Sequence, residues 1–263
     1  MTVASFLLGF ALGVVVNLLA DSLPRHRRPR WPRCPACTAP RPALHLSGIL
    51  ALSLAGGRCP HCGARRGARA PLVEAVAAIG AATLSAAASS GWSYWTGMLA
   101  GFIFLLITVI DVEHKLILHI VSLPSAVALG LLRSLDPSQG LVKTLSGGLA
   151  GVGLLGAMYL LGLVFSRLAA MRRGMAIEEV AFGFGDVMLG GVLGLAVGWP
   201  GILVAVVLGI FAAGVFSLAL ILVQLVRRRY AAFLAIPYGP FLVLGAAVVL
   251  YGGREAFRAL VSG

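Results

Sequence analysis

Two stretches of this chain carry no charge at all: Ala75 to Ile110, 36 residues long, and Val187 to Val226, 40 residues long. A helix crosses a bilayer with about 20 mostly apolar residues, so each stretch is too long for one crossing. The first contains Ser89-Ser90-Gly91-Trp92 and the second Gly198-Trp199-Pro200-Gly201, which are turn-forming clusters. Each stretch therefore reads as a pair of helices. Only 11% of the 263 residues are charged and 59% are hydrophobic, where a soluble domain carries about a quarter charged residues. The expected fold is an all-α membrane protein. It is a polytopic bundle of about eight transmembrane helices, near 3–20, 72–89, 95–111, 117–133, 142–166, 186–198, 201–226 and 234–251, with one small loop domain outside the membrane. The expected organisation is a first transmembrane helix over 1–20, a cysteine-bearing loop over 21–70 and a helical bundle over 71–263. The fourth and sixth spans are the least regular, with His119 and Pro124 in one and a short, Gly-rich run in the other. Both are expected to pack inside the bundle.

Charge sets the expected orientation. Thr2 to Ala20 is apolar, and no basic residue precedes it. A secretory signal begins with positive charge and has a shorter apolar core, so this segment reads as a retained first helix. With the N-terminus outside, the segments expected inside hold ten arginines from Arg25 to Arg69, then Lys115, Arg167, Arg172, Arg173 and Arg227 to Arg229. Only Arg133, Lys143, Arg254 and Arg258 fall outside. Basic residues favour the cytoplasmic side. The net charge of +12 therefore reads as topology, with anionic headgroups as the partner of the basic loop. Nucleic acid is not an expected partner, because no basic, aromatic-interleaved soluble domain is present to carry it.

The same layout puts Asp111 and Asp186 on one face of the membrane, at the ends of hydrophobic spans. Ionisable groups beside the hydrocarbon are costly and usually functional. Two carboxylates that meet are the minimum equipment of an aspartic protease, one protonated and the other activating water. Asp111 falls near the negative, C-terminal end of a helix and Asp186 at the positive, N-terminal end of another. Asp111 is therefore expected to hold the proton and Asp186 to act as base. Gly183 and Gly185 precede Asp186 and are read as a substrate loop, where glycine allows close backbone approach and φ > 0. Glu74 reads as a first-turn helix charge and Asp21 as an interfacial helix terminator. Glu113 is expected to point away from Asp111, and Glu178 and Glu179 form a solvated loop pair.

All four cysteines lie in the loop, as Cys34-Pro-Ala-Cys37 and Cys59-Pro-His-Cys62. Two C-x-x-C knuckles about 20 residues apart match a tetrahedral structural zinc site. Disulfides are rare on the cytoplasmic side. The loop has too little apolar content to fold alone, so metal binding is expected to supply much of its folding free energy. His61, His26 and His45 are read as bystanders.

These residues resemble the type IV prepilin peptidases. The resemblance runs in order through Gly13-Val14-Val15-Val16-Asn17 with Ser22-Leu23-Pro24-Arg25, the paired C-x-x-C motifs and Pro71-Leu72-Val73-Glu74. It continues through Ile110-Asp111, Gly183-Phe184-Gly185-Asp186-Val187 and Ile236-Pro237-Tyr238-Gly239-Pro240-Phe241. It implies an endopeptidase of the bacterial plasma membrane that cuts after a glycine, removing the short basic leader of a prepilin or pseudopilin at the cytoplasmic face. It also implies N-methylation of the new terminus with S-adenosylmethionine, for which no Gly-rich nucleotide-type loop is present. Two departures stand beside the aspartates: Met188 where the family usually has lysine, and Ile117-Leu118-His119-Ile120 where it tends to have a Pro-Asp pair. A presenilin-like intramembrane protease shares the G-x-G-D pattern, but its first aspartate usually follows tyrosine. A small ion- or proton-coupled transporter would use both carboxylates as ligands, and the internal repeat it should show is not evident.

Overall fold

The computed structural model describes residues 2–173, 183–227 and 237–252. Nine α-helices form among them: α1 (Thr2–His26), α2 (Gly48–Ala55), α3 (Arg69–Ala87), α4 (Gly91–His114), α5 (His119–Ser134), α6 (Gly140–Arg173), α7 (Phe184–Val197), α8 (Gly201–Val226) and α9 (Gly239–Tyr251). The described residues hold no β-strand beyond two isolated bridges in the cysteine loop. Eight of the nine helices sit where the eight spans were expected. α1, α3, α4, α6 and α8 are long and apolar enough to cross a membrane, whereas α5, α7 and α9 are shorter apolar helices. The protein is thus a multi-pass, all-helical membrane protein. The expected start of the last span, before residue 237, lies outside the described residues. So do Glu178, Glu179, Arg228, Arg229, Arg254 and Arg258.

The helices fall into two compact units, residues 1–114 and 115–263. In the first unit, α1 packs along α3, and both touch α4. Small residues set the closeness of the first pair. A methyl group added at Gly13 would lie 2.7 Å from the Glu74 Cα, and one at Gly9 would meet Ala81. Without a hydrophobic drive inside lipid, such small-residue seams let van der Waals packing hold helices together. The turn between α3 and α4 falls at Ser89 and Ser90, as expected, and the Ser90 hydroxyl accepts from the Ser93 amide at 3.1 Å.

In the second unit, α7 is sandwiched by α5, α6 and α9. Gly147 and Gly151 on α6 face Gly190 and Gly194 on α7 so closely that a methyl on Gly147 would sit 2.6 Å from the Gly198 Cα. The C-terminal carbonyls of α7 are also held. Arg133 Nε donates to Ala196 O at 2.9 Å and Gln139 Nε2 to Leu195 O at 3.2 Å. The short α7 is accordingly buried from Leu189 to Gly194, as expected for an irregular span. The other one, α5, differs. It buries Val121, Ser122, Ser125 and Leu129 but exposes Ile120, Leu123, Val127 and Leu131. Ile120, Leu123, Val127 and Leu131 share one face of the helix, and it is this face that is exposed while Ser122 and Ser125 turn inward.

Candidate active site and cysteine cluster

The two cysteine knuckles fold alike because the same backbone bonds close each one. The Cys34 amide donates to Ala39 O and the Thr38 amide to Cys34 O, both at 2.9 Å. In the second knuckle the Cys59 amide donates to Ala64 O and the Gly63 amide to Cys59 O, again at 2.9 Å. The residue after each second cysteine turns left-handed, Thr38 at φ 57° and Gly63 at φ 70°. Glycine takes that conformation freely, whereas a β-branched threonine is strained there. Thr38→Gly is expected to stabilise the loop by about 1 kcal/mol, read as slower tryptic cleavage of the loop in the purified protein.

The knuckles meet. Cys34 Sγ lies 3.8 Å from Cys62 Sγ, and Cys37 Sγ lies 3.8 Å from Cys59 Sγ. All four sulfurs lie within 4.8 Å of one another. Four sulfurs at about 2.3 Å from a central ion stand about 3.8 Å apart in a tetrahedron, so the donor set fits a tetrahedral metal. The amides of Cys37 and Ala36 point at the Cys34 thiol and pull its pKa down to about 6, which favours the ligating thiolate. S-adenosylmethionine finds no such fit in the cavity between the knuckles. That cavity measures about 80 Å³, well below the roughly 300 Å³ of small-molecule sites.

Glu74 departs from its expected role. α3 begins at Arg69, so Glu74 lies in the second turn and not the first, and it is fully buried. Its carboxyl group accepts four bonds: from the Ser47 hydroxyl at 2.6 Å, the Gly48 amide at 2.7 Å, the Ile49 amide at 3.0 Å and Asn17 Nδ2 at 3.2 Å. It therefore caps α2 across space, where an acidic group also meets the positive end of the helix. The only signal in the sequence was that Asn17 and Glu74 end two of the quoted motifs, which turn out to be facing parts of one α1–α3 contact. Glu74→Ala would leave these donors buried without an acceptor, at about 1–3 kcal/mol each. A fall in thermal stability, with faster proteolysis of 27–68, is the expected result.

Asp21 is also corrected. α1 continues past it to His26, and Asp21 pairs with Arg69 at 2.5 Å and Arg41 at 3.5 Å. Arg69 reaches Glu113 as well, at 2.5 Å. The Arg69 guanidinium thus bridges the carboxylates of Asp21 and Glu113. Glu113 therefore points away from Asp111, as expected. Arg66 reaches the carbonyls of His45, Leu46 and Ser47 just before α2.

Asp111 is buried in the last turn of α4. Asp186 is half-buried in the first turn of α7. The Gly183 amide donates to Asp186 Oδ2 at 3.0 Å, and the Asp186 amide returns a bond to Gly183 O at 3.0 Å. Gly183 is thus the N-cap of α7, at φ −84°, and neither Gly183 nor Gly185 is left-handed. Gly185 is needed for close approach, since a methyl there would stand 2.9 Å from Ile117 Cβ. Ile117, one of the departures noted above, thus packs on the glycine beside Asp186. Asp111 belongs to the first unit and Asp186 to the second.

The protein is thus a multi-pass helical membrane protein with a carboxyl group in the last turn of α4, another in the first turn of α7, and a four-cysteine cluster. Residues 98–218 match the Type IV leader peptidase family, and residues 7–88 match the Bacterial Peptidase A24 N-terminal domain. The chain belongs to the type IV leader peptidase family. A Burkholderia pseudomallei protein named "Prepilin leader peptidase/N-methyltransferase" is 32% identical over 248 residues, 91% of this chain and 74% of that protein. Proteins of the same name from Aeromonas salmonicida and Pseudomonas aeruginosa are 28% and 25% identical, covering 87% and 97% of this chain and 74% and 91% of their own lengths. No solved structure matches the chain.

Proposed function

We propose that this protein is an aspartic endopeptidase that removes the leader of a type IV prepilin or pseudopilin. The observation that carries this reading is that Asp111 and Asp186 both fall inside the segment matching the leader peptidase family, and each sits in the terminal turn of a helix. In the proposed mechanism the two carboxyl groups share one proton. Asp111, buried at the negative end of α4, holds it and polarises the scissile carbonyl. Asp186, held by the Gly183 amide at the positive end of α7, takes a proton from the attacking water. The roles exchange when the leaving amine is protonated. NMR titration of labelled aspartates tests the assignment, and a higher pKa at Asp186 than at Asp111 would reverse it.

The substrate is a single-span precursor with a short basic leader, and the cut falls after the glycine preceding its hydrophobic helix. The excess of arginine in the cysteine loop supports a cytoplasmic location for that loop and for both aspartates. Zinc is the proposed ion at Cys34, Cys37, Cys59 and Cys62, where it would cross-link the two knuckles. Methyl transfer from S-adenosylmethionine is proposed only because the relatives' names include it, and no residue of this chain is assigned to it. Incubation of the purified protein with a model prepilin, followed by sequencing of the product's N-terminus, tests the reading. A new terminus immediately after the glycine supports it, and an uncut precursor alongside a working relative removes it.

A further inference from the structure

The cysteine loop contains a helix that hydropathy by segment length passes over. α2 reads Gly-Ile-Leu-Ala-Leu-Ser-Leu-Ala, with one hydroxyl as its only polar side chain. Gly48 and Ala51 are buried, but Leu50 and Leu54, one turn apart, share an exposed face, and Leu54 is 67% exposed. Leu52 lies on the other side of the helix, beside Gly57. Trp31 and Leu44 of the same loop are exposed as well. Such a group of leucines facing water is a liability for a soluble loop.

Its position explains it. A methyl on Gly48 would lie 2.5 Å from Pro71 N, and the α2 amides bond to Glu74. α2 therefore starts beside residues 71–74 of α3, which itself begins at Arg69 and is long enough to span the membrane. At 1.5 Å per residue that is about 3–8 Å along α3 from its end, which overlaps the roughly 5–10 Å depth at which interfacial helices seat their apolar faces. Glu74 satisfies the free amides that would otherwise make this depth costly for a helix start. Exposed arginines follow both segments, Arg27, Arg28 and Arg30 after α1 and Arg58 and Arg65 after α2, and they complement anionic headgroups.

We infer that α2 is a monotopic anchor, seated with Leu50 and Leu54 in the headgroup–acyl boundary of the bilayer that α1 and α3 cross, so that the metal-binding knuckles are fixed against the membrane surface. This rests on α1 and α3 spanning a membrane and not on the peptidase chemistry. The test reconstitutes the full-length L54W variant into vesicles of phosphatidylglycerol and phosphatidylethanolamine and subtracts the wild-type tryptophan emission. Lipids brominated high on the acyl chain are expected to remove roughly half of the added emission, in keeping with a depth of about 5–10 Å, while acrylamide in the water has little effect. Quenching by acrylamide and not by brominated lipid would overturn the inference by placing α2 in water. Protection from both would also overturn it, because a protein surface, either a second copy or a prepilin helix, would then cover the leucines. The L50W variant repeats the measurement one turn earlier on the same face should position 54 not tolerate the indole.

Discussion

Asp111→Asn and Asp186→Asn are each expected to slow cleavage of a model prepilin by about 10²–10⁴-fold, the range that a positioned acid or base contributes. Both substitutions keep shape and most bonding. An asparagine at 186 still offers an oxygen to the Gly183 amide that now meets Asp186 Oδ2 at 3.0 Å, so the start of α7 should persist. What it loses is the capacity to take a proton from water. At 111 the amide resembles the protonated acid in volume but has no acidic O–H to lend to the scissile carbonyl. Because neither position belongs to the cysteine cluster or to the Glu74 network, metal content and thermal unfolding should match wild type. Cleavage rate, metal content and unfolding measured side by side on both variants check this. Normal cleavage by both would make the aspartates structural. Inactive but folded variants would also separate a peptidase from the transporter reading, since proteolysis needs no sealed compartment.

Replacing one sulfur from each knuckle, Cys34→Ser with Cys59→Ser, is expected to empty the cluster and unfold the loop. The described loop has one short α-helix, a single 3-10 turn, two isolated bridges and two knuckles whose sulfurs converge, which is little apolar burial to offset chain entropy. Structural zinc contributes apparent binding free energies of about 10–16 kcal/mol in small finger peptides, far more than the rest of this loop supplies. Elemental analysis should therefore find about one zinc per wild-type chain, as a four-thiolate site requires, and none in the double variant. Trypsin should cut the variant rapidly among its ten arginines from Arg25 to Arg69. The α1–α3 pair, packed through Gly9 and Gly13, should survive. A wild-type protein without metal, or a double variant that keeps it, would remove the zinc assignment.

The bonds around Glu74 tie these two parts together. They run from α3 to the start of α2 and to Asn17 of α1, so one acidic side chain fastens the start of α2 to two membrane helices. The Arg69 pairs with Asp21 and Glu113 fasten the loop's exit to α1 and α4.

Hydrophobic run length alone determined that this chain crosses membranes as helices, because a charge-free run of 36 or 40 residues has no other stable use. The turns at Ser89–Ser90 and Gly198–Pro200 were equally plain, since their residues form turns by local chemistry. Cysteine spacing determined the cluster, because a two-residue gap bends the chain whatever surrounds it. Three things were decided only by tertiary structure. Glu74 reads as an ordinary helix-start charge until α2 folds across it, and the partner amides lie more than twenty residues away in sequence. Asp21 looks like a terminator, but α1 runs on to His26 and Asp21 instead pairs with Arg69, 48 residues away in sequence. α2 is too short to register as a span and too apolar for a loop. Its place follows from Gly48 fitting against Pro71, a contact between distant residues that no local pattern encodes.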